Sequence, residues 1–121
     1  MTARILVIED TEDNRQIVRD LLTSVGYEMI EAVDGLSGVE TAARERPDLI
    51  LMDIQLPGID GYEATRRIRA IAELAKTPII AVTSYALSGD EDKTRAAGCD
   101  AYVAKPFSPR QLLAKVREFL P

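Results

Sequence analysis

Apolar residues fall in short unbroken runs separated by longer stretches where they recur every three or four positions, and this alternation repeats five times along the chain. Ile5-Leu6-Val7-Ile8, Leu49-Ile50-Leu51-Met52 and Ile79-Ile80-Ala81-Val82 contain no polar interruption. That is how strands covered on both faces read, so these three runs predict central parallel strands. Residues 27–32 alternate more, with Glu28 and Glu31 polar, and residues 101–104 are short, which predicts strands nearer the sheet edge. Between the strands, Ile17, Val18, Leu21, Leu22 and Val25 share one helical face, with Arg15, Arg19 and Asp20 expected on the other. Leu112, Leu113, Val116, Phe119 and Leu120 define a similar last helix, opened by Ser108 as cap and Pro109 at its first position. Ser88 and Glu91 have capping-box spacing for a fourth helix, while Gly26 and Gly98 sit where a left-handed residue would end the first and fourth helices. Five βα units with right-handed crossovers are too few for an eight-fold barrel, and leave an α/β fold with an open, doubly wound parallel sheet. Such sheets bind ligands beyond the carboxyl ends of their strands, near the switch in strand order.

A length of 121 residues accommodates one domain, 1–121, and rules out a two-domain enzyme. No apolar run approaches the ~20 residues a bilayer crossing needs, and Met1 leads into Arg4 and an acidic stretch without a signal-peptide core. The expected setting is therefore cytoplasmic, with no membrane partner. A net charge of −5 and a pI near 4.8 disfavour direct nucleic-acid binding, which needs a basic footprint. With no histidine in the chain, imidazole metal sites and Ser-His triads are excluded. The single cysteine, Cys99, cannot form an internal disulfide and reads as a small packing residue.

Polar residues stand directly after the apolar runs: Glu9 and Asp10 after the first, Asp53 after the third, Thr83 and Ser84 after the fourth, Lys105 after the fifth. A phosphate-cradling first turn would be rich in glycine, whereas here it reads Glu9-Asp10-Thr11-Glu12-Asp13. Phosphate chemistry beside such a turn requires a cation. Three converging carboxylates disfavour one another's ionisation unless a divalent ion lies among them, and all-oxygen ligands without His or thiolate suit Mg²⁺. A carboxylate held beside Mg²⁺ is a competent nucleophile toward phosphorus, and Asp53, ahead of Leu56-Pro57-Gly58, is the candidate. Lys105 can place a positive charge on a phosphoryl oxygen and Thr83 can donate a hydroxyl to another. Taken singly, acid pairs cap loops, threonines form turns and lysines are solvated. Asp53 is harder to explain that way, because a charge following four aliphatic residues is costly to bury alone.

With these residues in place, the chain resembles a response-regulator receiver domain of two-component signalling over essentially its whole length. The resemblance rests on Glu9-Asp10, on Asp53 within the segment from Leu51 to Gly61, on Thr83, and on Lys105-Pro106-Phe107. Asn14-Arg15 and Leu51-Met52-Asp53-Ile54-Gln55 are especially similar to receivers of hybrid histidine kinases and of phosphorelays. It implies a flavodoxin-like (βα)5 sheet in the order 2-1-3-4-5. It further implies that Asp53 accepts a phosphoryl group from a histidine kinase or histidine phosphotransfer protein. Asp10, Asp53 and the Gln55 backbone carbonyl would ligate Mg²⁺, Glu9 acting through water, with Thr83 and Lys105 gripping the phosphoryl group. Thr83 and Tyr102 would form the switch, the Lys105-Pro106 bond would be cis, and Gln55 and Tyr85 would flank the path of attacking water. Thr11 and Ser84 depart from the usual Asn and Ala, but both are small. The downstream protein target is expected on the face of the fourth helix, fifth strand and fifth helix, residues 88–97 and 100–120. Arg66, Arg67 and Arg69 are read as a solvated face of the third helix.

Other readings make different demands. A Mg²⁺-dependent aspartyl-phosphate hydrolase resembles Asp-x-Asp, whereas Gln55 stands two residues after Asp53. A flavodoxin-like cofactor binder would need a Ser/Thr/Gly phosphate loop in the first turn. The initial Met1 and short C-terminus favour a stand-alone regulator over a domain excised from a hybrid histidine kinase.

Overall fold

The five uninterrupted or alternating runs form β1 (Arg4–Ile8), β2 (Glu28–Ala32), β3 (Leu49–Asp53), β4 (Ile79–Thr83) and β5 (Ala101–Ala104). The structure is a computed structural model and describes residues 2–84 and 90–120. The strands pair in parallel in the order β2-β1-β3-β4-β5, so the three apolar runs are central and the two weaker ones lie at the edges. Among the described residues five helices connect or follow them: α1 (Glu12–Ser24), α2 (Gly35–Glu45), α3 (Gly61–Arg69), α4 (Asp90–Ala97) and α5 (Pro109–Arg117). A 3-10 turn over Ala72–Leu74, not apparent in the sequence, lies between α3 and β4. None of the described helices is long and apolar enough to cross a membrane.

Successive strand residues point to opposite faces, so the continuous apolar runs build two cores at once. Leu6, Ile8, Ile50, Met52, Ile79 and Ala81 meet Ala42 of α2 and Ala64 and Ile68 of α3. Ile5, Val7, Leu49, Leu51, Ile80 and Val103 meet Val18 and Leu22 of α1 and Leu112 and Val116 of α5. The register sets Ile8 beside Met52, Asp53 beside Val82 and Thr83 beside Ala104. Side chains at or just after those positions therefore emerge at one edge of the sheet.

The expected caps of α5 are present, with Ser108 accepting from Gln111 N and Pro109 in the first turn. Gly26 and Gly98 adopt φ of 91° and 114°, the left-handed region that ends α1 and α4. The Ser88 capping box lies outside the described residues. Three expectations are corrected. Arg15 is buried and Ile17 is 58% exposed, the reverse of the expected faces of α1, because Arg15 finds acceptors at the end of β1 and on β2. Arg69 is drawn off the solvated face of α3, donating to the carbonyls of Leu74, Thr77 and Gly98 and pairing with Asp100 at 2.8 Å. α5 ends at Arg117, so Phe119 and Leu120 pack from the turn that follows. Cys99 is buried and lies 3.7 Å from Thr65 Oγ1, and burial raises its thiol pKa, as befits a packing residue.

Among the described residues, four carboxyls outside the acidic edge have depressed pKa values: Glu31 through Arg19, Glu45 through Arg4, Glu63 through Arg67, and Asp34 through the Ser37 backbone N–H. A depressed folded-state value means the stabilisation is complete above the ordinary carboxylate range and is lost as pH falls through the folded values. The melting temperature is expected to be lower at pH 3 than at pH 7. Scanning calorimetry checks this, and an unchanged melting point would contradict it.

Candidate functional site at the carboxyl edge of the sheet

Glu9 continues β1 by one residue and is held on every side. Its N–H donates to Ala32 O at 3.1 Å, and its own carbonyl accepts from Arg15 Nη1 at 2.8 Å. Its carboxylate accepts from Thr11 N at 3.0 Å and Asn14 Nδ2 at 3.2 Å, and faces Lys105 Nζ at 3.5 Å. Glu9 is only 6% exposed, which those partners make tolerable. Asp10, next in the chain, is exposed. A hydrogen bond with Glu9, then burial and the Glu9 charge, hold its carboxyl above the usual carboxylate range.

Asp53 ends β3 and is 4% exposed. Its Oδ1 accepts from Gln55 N at 3.1 Å, and Oδ2 lies 3.2 Å from Lys105 Nζ. Oxygens from Glu9, Asp10 and Asp53 all lie within 4.8 Å of one another, so the three acids placed at separate strand ends do converge. The Asp53 loop is pressed against the start of α3. Asp60 caps that helix by accepting from Glu63 N, and Gly61 N donates to Ile54 O at 3.0 Å. A Cβ on Gly61 would meet Asp53 O at 2.4 Å and Ile54 Cα at 2.6 Å, so only glycine permits this approach.

Thr83 is fully buried at the end of β4, and its Oγ1 accepts from Gln55 Nε2 at 3.2 Å. The other end of the same amide, Oε1, accepts from Ser84 N at 3.3 Å. Gln55 thus ties the Asp53 loop to the end of β4. Its position was legible in the sequence, but this side-chain bridge was not. Lys105 N donates to Thr83 O at 2.8 Å, and the Lys105-Pro106 bond is cis, as the resemblance implied. Tyr102 is half-buried on β5 and lines a crevice with Pro106, Gln111 and Lys115, apart from the acids. Tyr85 lies outside the described residues.

A cavity of about 530 Å³ opens beside Asp53 and Lys105 and is walled by Ile17, Val18, Phe107 and Leu112. At the polar end three carboxylates face one ammonium. All the donors are oxygen and no thiolate or imidazole is near, a set that fits a hard divalent cation.

Sequence reasoning missed Arg15 as a component of this edge. A signal was present: Arg15, Val18 and Leu22 follow the i, i+3, i+7 spacing of one helical face, and all three are buried. Treating arginine as outward by default concealed it.

Comparison with known proteins agrees with this geometry. The family model for the response regulator receiver domain matches residues 5–117. The polar-differentiation response regulator DivK of Brucella ovis is 42% identical over 120 residues, covering 99% of this chain and 98% of that protein. The receiver domain of the sensor histidine kinase PA1611 from Pseudomonas aeruginosa, whose crystal structure has a magnesium ion coordinated in the active site cleft, is 40% identical with a TM-score of 0.92 and 98% coverage of both chains. The Vibrio cholerae chemotaxis protein CheY4 is 29% identical with a TM-score of 0.94, covering 99% of this chain and all of that one. The match across nearly every residue, on a sheet whose strand tips gather these acids, shows that the chain belongs to the response regulator receiver domain family of two-component signalling.

Proposed function

We propose that residues 1–121 act as one phosphoacceptor domain that takes a phosphoryl group from a phosphohistidine onto Asp53, with Mg²⁺ as cofactor. The observation that carries this is the convergence of Glu9, Asp10 and Asp53 within 4.8 Å, with Lys105 Nζ 3.2 Å from Asp53. Asp10, Asp53 and the Gln55 backbone carbonyl would hold the metal, and Glu9 would act through water. When bound, Mg²⁺ supplies positive charge to neutralise the carboxylates and the phosphoryl oxygens.

Asp53 is short, rigidly based on a central strand and oriented by Gln55 N, so one carboxylate oxygen can approach phosphorus with little entropy left to lose. In the transfer an Asp53 O–P bond forms, the histidine N–P bond breaks, and the imidazole leaves as the neutral ring, its other nitrogen having first taken a proton from solvent. The cavity beside Asp53, walled on one side by Val18, Phe107 and Leu112, would give the donor's imidazole an apolar surface to lie along. Lys105 and the Thr83 hydroxyl then hold the transferred oxygens. In reaching them the Thr83 hydroxyl donates to a phosphoryl oxygen, a role distinct from its acceptance of the Gln55 Nε2 hydrogen bond. That movement shifts the end of β4, and with Tyr102 re-forms the face of α4, β5 and α5 on which a downstream protein docks. A complete change of population from 1:99 to 99:1 would require ~5.5 kcal/mol of differential stabilisation, so a partial shift is expected. The regulator acts as a signalling protein that promotes its own phosphoryl transfer and loss. DivK favours a response regulator working alone, and the PA1611 receiver favours a domain of a hybrid kinase.

The test is incubation with a small phosphodonor, with and without Mg²⁺. Intact mass should show one added phosphoryl group, labile to hydroxylamine, only with the metal; incorporation in excess chelator would refute the metal-dependent mechanism. Thr83→Ala should still accept phosphate yet gain no affinity for the partner on phosphorylation. A normal gain, read by calorimetry with and without phosphate, would break the proposed coupling.

A further inference from the structure

We infer that Arg15 is a positioning residue for the metal site, acting on Glu9 and Asp10 together through the peptide bond that joins them. The inference rests on the magnesium reading above. Arg15 Nη1 donates to the Glu9 carbonyl at 2.8 Å in a buried setting. That oxygen belongs to the planar unit running from Glu9 Cα to Asp10 Cα, and a rotation of the unit re-aims both side chains. Ala32 O anchors Glu9 from its N–H side, so Arg15 supplies the second point that stops the strand tip from turning.

The guanidinium is itself locked. Its Nε lies 3.2 Å from Glu31 Oε1 on β2, and its Nη2 lies 2.5 Å from Glu12 Oε2 on α1. Arg19 braces the same two acids, with Nε 3.0 Å from Glu31 Oε2 and Nη2 3.4 Å from Glu12 Oε1. Those two carboxylates neutralise Arg15, so its influence on the acidic site is one of geometry rather than charge. A planar fork can hold three acceptors in fixed directions, which an ammonium cannot. Arg19 belongs to the same ion-pair network but makes no bond to Glu9. It therefore separates a role at the metal site from simple attachment of α1 to β2.

The experiment is a calorimetric Mg²⁺ titration of wild type, Arg15→Met, Arg15→Lys and Arg19→Met, together with the Glu9 carbonyl ¹³C resonance in the metal-free proteins. Arg15→Met should weaken Mg²⁺ about ten-fold and shift the Glu9 carbonyl resonance, the size of effect typical for groups that orient metal ligands. Arg19→Met should stay within about two-fold and leave that resonance in place, even if it lowers the melting temperature as much. Should Arg15→Met fail to fold, Arg15→Lys, which keeps the charge but loses the fork, should weaken Mg²⁺ by about ten-fold on the same argument. Mg²⁺ affinity within two-fold of wild type in a folded Arg15 variant, or an equal loss in Arg19→Met, overturns the assignment. If wild type binds no Mg²⁺, the magnesium reading fails, and an unmoved Glu9 resonance in the Arg15 variants would separately show that Arg15 does not hold the peptide.

Discussion

Asp53→Asn is expected to yield a folded protein that takes up no phosphoryl group under conditions that fully modify the wild type, as read by intact mass. Asparagine preserves the shape of the side chain and an oxygen able to accept from Gln55 N, now at 3.1 Å from Oδ1. It lacks the anionic oxygen needed to attack phosphorus, and an amide is no substitute as nucleophile. The fold should tolerate the change: it gives up the 3.2 Å Asp53–Lys105 pair, but Asp53 shares its site with two other acids, so removing one charge relieves repulsion, and Lys105 keeps Glu9 as a partner at 3.5 Å. The melting temperature without Mg²⁺ should therefore equal or exceed that of wild type, and any rise conferred by Mg²⁺ should shrink. Full incorporation in the Asn variant would move the acceptor to another carboxylate and end the assignment.

A second large effect is expected at a residue with no chemistry of its own. Gly61→Val places a branched side chain where even a Cβ would stand 2.4 Å from Asp53 O and 2.6 Å from Ile54 Cα. Both are backbone atoms, so the loop must move rather than a side chain rotate. Overpacking of this kind costs about 2–3 kcal/mol, a fall of roughly 10 °C in melting temperature for a domain of this size. Because the displaced atoms carry Asp53, phosphoryl uptake below the melting range should slow as well. Differential scanning calorimetry and a time course of uptake check the two parts. A Val variant as stable and as quickly modified as wild type would show that the loop has room that the backbone geometry denies it.

The architecture was readable because its signals are local. Aliphatic runs such as Leu49-Ile50-Leu51-Met52, short and set between helical stretches, read as strands covered on both faces, while Ser108 caps α5 and Gly26 and Gly98 supply left-handed stops after α1 and α4. Charged and hydroxyl residues placed directly after those runs had to emerge along one edge once the strands were parallel. The acids and Lys105 could therefore be named before their distances were known. The order of the strands came from family resemblance, since the runs alone do not say which neighbours which.

Arginine orientation was not readable in the same way. Arg15 shares the i, i+3, i+7 spacing of Val18 and Leu22, but spacing alone does not supply the acceptors a buried guanidinium needs; Arg15 and Arg69 are inward because carbonyls and carboxylates of other elements converge on them. Ile17 is left outside for the complementary reason, since Arg15 occupies the inward side of that turn. The bridge from Gln55 to Thr83 and Ser84 likewise depends on two loops 28 and 29 residues apart meeting at the sheet edge. Residue type and spacing suffice for strands, helices and the line of polar side chains at the strand ends because those follow from short-range sterics and burial. How the side chains hold one another depends on long-range hydrogen-bond partners, which exist only after the chain has closed on itself.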